Sequence, residues 1–129
     1  DSKYLKMSHD INIIGIKASG KHGIYEIEKS SDQKFFVDVI ITLENIQGDE
    51  IHDTINYESV VKDVIEIVKT ESFNLIETLS KEITQKIYKK YNSKSTVKIF
   101  EIIVTVHKPD TILKEKTKKL SVTYSEKFK

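Results

Sequence analysis

The carboxylate of Glu77 is the side chain of this sequence with the clearest chemical use, because it lies near the start of a predicted helix. The two oxygens of one carboxylate can accept two parallel N–H groups, such as the amino group and ring N–H of a guanine or pterin edge. Glu77 also lies three residues after Asn74, where the glutamate of a capping box would hold the helix start. The local pattern favours this structural role, so a binding role for Glu77 depends on matches elsewhere in the chain.

Two helices are predicted around this segment. Asn74 is the predicted N-cap of the second helix, whose apolar residues recur at helical spacing for about 18 residues. These residues are Leu75, Ile76, Leu79, Ile83 and Ile87. Asn56 is the predicted N-cap of the first helix. Its apolar stripe consists of Val60, Val61, Val64, Ile65 and Val68.

Four segments predict β-strands. Residues 11–18 are rich in β-branched side chains, and a phase slip at Ile13–Ile14 predicts a bulge. Residues 34–43 alternate cleanly, with one apolar face and a second, half-apolar face that suggests an oligomer contact. Residues 96–106 form the third predicted strand, and the last alternates at Leu120, Val122 and Tyr124.

The predicted order is ββααββ, an α+β fold with an antiparallel four-stranded sheet. Residues 24–32 are predicted to be a polar loop that is too long for a simple hairpin turn. Residues 1–9 are predicted to be a flexible N-terminal tail, and residues 10–126 a single domain.

The composition of the chain argues against several classes of partner. The 129 residues carry 21 basic side chains, all of them lysine, against 20 acidic ones, for a net charge of +1. The absence of arginine and of a net positive field argues against nucleic acid as a partner. No apolar run is long enough for a membrane span, so no membrane partner is predicted. The absence of cysteine fits a reducing compartment, which favours the cytoplasm.

Six short motifs follow one another along the chain. They are His22-Gly23, Glu28 six residues after His22, Gln33-x-Phe35-x-Val37-Asp38-Val39, Asp53-Thr54-Ile55-Asn56-Tyr57, Asn74-Leu75-Ile76-Glu77-Thr78-Leu79 and Lys108-Pro109. Each is weak alone, but in this order they resemble the dihydroneopterin aldolase family of folate biosynthesis over about residues 10–126. The resemblance implies the tunnelling fold, in which two helices cover one face of the sheet. It also implies that four sheets join into a barrel, as a tetramer or a stacked octamer with active sites at subunit interfaces.

The resemblance assigns a role to each matching position. Glu77 and the Ile76 backbone would bind the pterin. Tyr57, presented with Asn56 by a neighbouring subunit, would bracket the pterin and transfer protons. Glu28 would hold the hydroxylated side chain of the substrate or a catalytic water, and Lys108 would be the general acid–base.

The implied reaction is a retro-aldol cleavage without cofactor or metal. Such a cleavage needs an electron sink beside the bond that breaks, which other aldolases make with a lysine Schiff base or zinc. In 7,8-dihydroneopterin the C6=N5 imine of the ring can serve instead. The four histidines show no H-x-H or H-x-x-x-H spacing, so no metal site is predicted.

The chain departs from the family pattern at three places. Asp32 stands where glycine is common, and Lys21 stands where an aromatic residue is frequent. The run Thr111-Ile112-Leu113 replaces the usual small-residue, Pro, Ile run after Lys108-Pro109, which leaves the shape of the active-site lid open.

Two alternative functions also fit the sequence. A dihydroneopterin triphosphate epimerase has the same fold, and the lysines at 114, 116, 118 and 119 could contact a triphosphate. Aldolases of this family often epimerise the substrate as well. The second alternative is a non-catalytic α+β binding module such as an RNA-recognition sheet, but that fold runs βαββαβ and displays paired aromatic residues on its third strand.

Overall fold

The fold is a four-stranded antiparallel sheet with two long helices on one face, as seen in a computed structural model that describes residues 7–44, 46–92 and 97–128. The strands are β1 (Ser8–Gly20), β2 (Gln33–Glu44), β3 (Lys98–His107) and β4 (Ser121–Lys127), and they lie side by side in chain order. The helices are α1 (Glu26–Ser30), α2 (Tyr57–Thr70) and α3 (Ile76–Asn92), with one 3₁₀ turn at Ile51–Asp53. The predicted ββααββ order is confirmed. The prediction of an irregular loop at 24–32 is wrong in part, because the five-residue helix α1 lies within it.

The core lies between the sheet and helices α2 and α3. Alternate residues of β2 and β3 supply the sheet side, and one stripe of each long helix supplies the other side. The buried residues include Phe35, Val37, Val39, Ile41, Leu43, Ile102, Val104, Val106, Val64, Val68, Leu79, Ile83 and Ile87. Two predicted core positions are wrong: Ile65 and Leu75 are 37% and 49% exposed. Ile67 takes the place of Ile65 in the buried stripe of α2.

A bulge in β1 allows the apolar residues before and after it to face the same side of the sheet. Ile13 pairs with Val39 and Ile16 pairs with Val37, so two residues of β1 stand opposite one residue of β2. Gly15 adopts a φ of 75° within the bulge, and its N–H donates to Asp38. The phase slip predicted at Ile13–Ile14 is confirmed, and the extra residue lets apolar side chains on both sides of it face the helices.

The start of α3 differs from the prediction. The helix begins at Ile76, and the carbonyl of Leu75 accepts the first intrahelical bond from Leu79 N–H. Leu75 rather than Asn74 therefore occupies the N-cap position, and Glu77 is the second helical residue rather than the third. The capping box predicted for Asn74 and Glu77 is wrong. The prediction for α2 is confirmed, because the Asn56 side chain accepts from Glu58 N–H and Ser59 N–H.

The folded part of the chain is slightly longer than predicted. Strand β1 begins at Ser8, inside the predicted 1–9 tail, and residues 1–6 lie outside the described residues. Beyond β4, the ring of Phe128 stacks on Tyr88 with 3.8 Å between ring centroids. No helix in the described ranges is long and apolar enough to cross a membrane.

Candidate active site

Lys108 and Glu28 form a close ion pair at one end of the sheet. Lys108 directly follows β3, where its N–H donates to the Leu120 carbonyl and so fixes the strand end. Glu28 lies in α1, and its Oε2 is 2.6 Å from Lys108 Nζ. The two side chains are only 11% and 12% exposed. A charge-assisted hydrogen bond of this length in a largely enclosed place holds both groups in one geometry.

The backbone around Glu28 is shaped to hold its carboxylate. Tyr25 N–H donates to Glu28 Oε1 at 3.2 Å. Gly23 has a φ of 149°, and a Cβ at that position would overlap with the Glu28 carboxylate. Only glycine combines this backbone conformation with the necessary space. Gly23 is therefore required for the Glu28–Lys108 pair.

The electrostatic environment keeps Glu28 ionised. Burial alone would raise the pKa of Glu28, but the hydrogen bond from Lys108, the Tyr25 N–H and the positive charge of Lys108 together hold it below its usual value. The pair is thus a carboxylate facing an ammonium group.

A cavity of about 310 Å³ brings the pair together with the start of α3. Four of the predicted site residues line it: Glu28, Lys108, Glu77 and Ile76. Its apolar walls include Ile24, Leu75, Leu113 and Val122. Mostly apolar walls with a few converging polar groups are typical of a small-molecule site. The Glu28–Lys108 pair reaches the cavity from α1 and the end of β3, and Glu77 reaches it from α3.

Tyr57 and Asn56 lie away from this cavity in the same chain. Tyr57 is the first residue of α2 and is 55% exposed. Val68, near the other end of α2, contacts His22, and His22 directly precedes Gly23 in the cavity lining. Val68 is eleven positions along the helix from Tyr57, which corresponds to about 16 Å. The structure therefore does not bring Tyr57 to Lys108 within one chain.

The run Thr111-Ile112-Leu113, whose effect on the lid the sequence leaves open, lines the cavity directly. Thr111 is 8% exposed, and its hydroxyl accepts from Leu113 N–H at 3.4 Å. The sequence alone predicts no binding role for these residues. Their position after Lys108-Pro109 was the available signal, but their orientation depends on turns within 111–117 that have no strong sequence signature.

The lysine run is not part of this cavity. The described part of the chain includes Lys114, Lys116, Lys118 and Lys119, and none of the four lines it. Lys118 and Lys119 instead line a second cavity with Asp38 and His107, on the sheet face that the helices leave open. His107 lines this second cavity, whereas the next residue, Lys108, lines the first.

Comparison with known proteins gives consistent matches. The family model described as dihydroneopterin aldolase matches residues 11–125. A dihydroneopterin aldolase of Streptomyces coelicolor is 34% identical over 99 residues, which cover 74% of this chain and 78% of that protein.

Two solved structures share the fold. One is the Escherichia coli dihydroneopterin aldolase in complex with neopterin, with a TM-score of 0.74, 16% identity and coverage of 92% of this chain and 98% of that one. The other is a Burkholderia dihydroneopterin aldolase bound to guanine, with a TM-score of 0.70, 13% identity and coverage of 95% and 93%.

Proposed function

Because the chain belongs to the dihydroneopterin aldolase family, we propose that it cleaves 7,8-dihydroneopterin into 6-hydroxymethyl-7,8-dihydropterin and glycolaldehyde, a step of folate biosynthesis. The observation that carries this proposal is the cavity in which the Glu28–Lys108 ion pair and the Glu77 carboxylate converge. The same cavity therefore holds a carboxylate that can bind the pterin and a pair of groups that can transfer protons.

Glu77 is the proposed anchor for the pterin ring. Its carboxylate can accept the 2-amino group and the neighbouring ring N–H, with the Ile76 backbone beside it. Neopterin and guanine, the ligands of the two structural neighbours, share this donor edge. Leu75 and Leu113 supply apolar surface for a flat ring.

Lys108 and Glu28 are the proposed groups for the cleavage. The substrate's 2′-hydroxyl loses a proton, the C1′–C2′ bond breaks and its electrons move into the C6=N5 imine of the ring. Glycolaldehyde leaves, and C1′ of the resulting enamine is then protonated to give the hydroxymethyl product. Lys108 is proposed to take the hydroxyl proton as the free amine and to protonate C1′ as the ammonium group so formed, while Glu28 holds the hydroxyl groups or a water. We predict that the cleavage needs neither a metal nor a Schiff base.

Tyr57 is proposed to act in the site of a second copy of the chain, with Asn56 beside it. Its exposure and its distance along α2 from its own site support this arrangement. Strands β1 and β4 are the two edges of the sheet, and an edge strand offers unpaired N–H and C=O groups to another copy. A tetrameric barrel, alone or stacked as an octamer, would use both edges. The cytoplasm remains the proposed compartment.

The triphosphate epimerase is the less favoured alternative. The triphosphate group of its substrate would need cations around the cavity. The four lysines of the 114–119 run lie outside that cavity. The RNA-recognition alternative does not fit the fold, because α2 and α3 are consecutive in the chain.

The decisive experiment measures glycolaldehyde release from 7,8-dihydroneopterin by the purified protein, with the pterin product identified by chromatography. Dihydroneopterin triphosphate is compared at equal concentration, and formation of the 2′-epimer is followed in both reactions. We expect glycolaldehyde from dihydroneopterin and a lower turnover of the triphosphate. Epimerised triphosphate without glycolaldehyde would replace the proposal with the epimerase.

A further inference from the structure

We propose that His22, as a neutral imidazole, is a positioning residue that holds the Glu28 segment and the Glu77 segment of the site at a fixed separation. This inference rests on the proposed function for its effect on turnover, but its structural part stands on geometry alone. His22 precedes Gly23 in the chain and does not line the cavity itself.

Both ring nitrogens of His22 are engaged. The residue is fully buried, and its Nε2 lies 2.8 Å from the carbonyl oxygen of Val68, near the end of α2. Phe73 N–H donates to its Nδ1 at 3.1 Å. Because Nδ1 accepts, the hydrogen of the neutral ring is on Nε2 and is donated to Val68. One ring therefore joins the end of β1 to the connection between α2 and α3.

Further bonds make this junction a link between the two halves of the site. Gly23 N–H donates to the Phe73 carbonyl at 2.9 Å, and the Ser72 hydroxyl donates to the Lys21 carbonyl at 2.7 Å. On one side the chain runs from Gly23 to Glu28, and on the other it runs from Phe73 to Glu77. His22 thus lies at the base of both segments.

Gln33 and two aromatic rings fix the orientation of the junction. The Gln33 amide donates to the carbonyls of His22 and Glu28 at 3.3 and 3.4 Å. The Phe35 ring meets the imidazole edge-on at 5.3 Å between centroids, and the Phe73 ring stacks on it at 5.8 Å. The imidazole is enclosed in a way that permits one ring orientation.

The geometry requires the neutral form. A proton on Nδ1 would face the Phe73 N–H, so two donors would meet and the bond would be lost. Burial lowers the pKa of His22, and the positive charges of Lys108 and Lys29 lower it further, whereas the Val68 carbonyl and Glu71 act in the opposite direction. The unfolded chain takes up a proton near pH 6.5, whereas the folded chain takes it up only at a lower pH. The stabilising effect of the neutral ring is therefore complete above pH 6.5 and decreases as the pH falls below it.

The test compares the wild-type protein with His22→Phe and His22→Gln, and uses the exposed His9→Gln as the matched control. His22→Phe keeps an aromatic ring but loses both hydrogen bonds. We expect faster amide exchange at Phe73 and Gly23, and a kcat/KM for dihydroneopterin that falls by roughly 100-fold, the effect of a misplacement of about 1 Å. His22→Gln, which retains a donor and an acceptor, should recover part of this loss. His9→Gln should behave as the wild type.

Binding of 6-hydroxymethylpterin, measured by calorimetry from pH 7.5 to 5, separates this inference from the proposed function. We expect affinity to fall toward pH 5 in the wild type more steeply than in His22→Phe, which has no imidazole to protonate. A wild type that binds the pterin but releases no glycolaldehyde would overturn the proposed function and leave this comparison intact. If His22→Phe does not fold, Phe73 amide protection in the wild type over the same pH range decides. Protection that stays constant from pH 7.5 to 5, or a folded His22→Phe with wild-type exchange and affinity, would overturn the positioning role.

Discussion

The paired charges of Lys108 and Glu28 predict a specific kinetic signature. Lys108→Ala removes the proposed acid–base but leaves the Glu77 side of the cavity in place. We expect kcat to fall by roughly 10²- to 10⁴-fold, the range typical of general acid–base catalysis, while pterin affinity changes much less. Lys116→Ala, an exposed change outside the cavity, is the control.

Borohydride added during turnover tests whether the mechanism includes a covalent imine on the protein. The substrate supplies its own imine, so no covalent adduct should form on the protein. An adduct trapped on Lys108 would establish Schiff-base catalysis instead. Full kcat in Lys108→Ala would remove this residue from the reaction.

Gly23 gives a second prediction at the scale of one residue. Gly23→Ala places a methyl group where the Glu28 carboxylate lies, so the carboxylate must leave Lys108. We expect kcat to fall by about 100-fold through this displacement. Gly15→Ala is the matched control, because Gly15 also has a positive φ but no atom within 4 Å of the added Cβ. Equal kinetic losses in the two variants would show that backbone strain, rather than the position of Glu28, is responsible.

Lys21 and Asp32 show what single positions could and could not predict. Both depart from the family pattern, and the sequence offered no reason to connect them. The structure places Lys21 Nζ 2.8 Å from Asp32 Oδ1 at the surface, with side chains 44% and 64% exposed. An exposed pair of this kind contributes at most about 1 kcal/mol. The two departures from the family pattern are therefore compatible with each other.

The start of α3 distinguishes the two roles of Glu77. Because Glu77 is the second residue of the helix, Glu77→Gln removes only a favourable interaction with the helix dipole, which should lower stability by less than about 1 kcal/mol. As the pterin anchor, the same change removes a charge-assisted contact and should weaken binding by about 10- to 150-fold. Calorimetry with a pterin fragment beside a thermal melt measures both. Glu82→Gln, farther along α3, is the control, and unchanged pterin affinity in Glu77→Gln would leave Glu77 with a structural role only.

The elements were predictable where a repeating pattern decides their structure. The alternation of β2 and the helical stripe of α3 gave the sheet, the long helices and most of the core, because burial selects one face of each. The end of a helix depends on one or two local bonds, so the cap at Asn74 was misplaced by one residue. Helix α1 was missed because its five residues contain no buried position and hence no pattern.

The site was predictable only in part for a related reason. The order of the motifs identified Glu28, Glu77 and Lys108, which the fold brings together from α1, α3 and the end of β3. Position in the chain could not reveal the fit of Gly23 against Glu28 or the two bonds of His22. The His22 bonds join residues 46 and 51 positions apart, and the fit of Gly23 depends on a backbone conformation that only the folded chain defines.

At the scale of the whole molecule, a shared site predicts recovery of activity on mixing. Lys108→Ala and Tyr57→Phe should each be impaired, Tyr57→Phe mainly in protonation of the enamine. If Tyr57 acts in a neighbour's site, mixed oligomers contain some sites with both native residues, about a quarter by random exchange. We expect activity to rise after dissociation and joint reassembly of the two variants.

Light scattering checks the assembly itself. We expect the mass of four or eight chains at micromolar concentration, since the sheet edges and the half-apolar face with Phe36 and Ile40 remain uncovered in one chain. Full activity at the mass of a single chain, or no recovery in reassembled mixed oligomers, would contradict a site completed by a neighbour.

The bulge at Gly15 means that β1 contains one residue more than its pairing with β2 needs. Loss of one residue inside a strand normally turns every side chain beyond the gap to the wrong face. Here, deletion of Gly15 would leave one residue opposite Asp38, and Ile13 and Ile16 would keep their partners Val39 and Val37. The chain should therefore fold at a length of one residue less, with its core unchanged and only the Gly15–Asp38 bond lost. At this position of β1, the gene could lose a codon without turning the following side chains of the strand to the opposite face of the sheet.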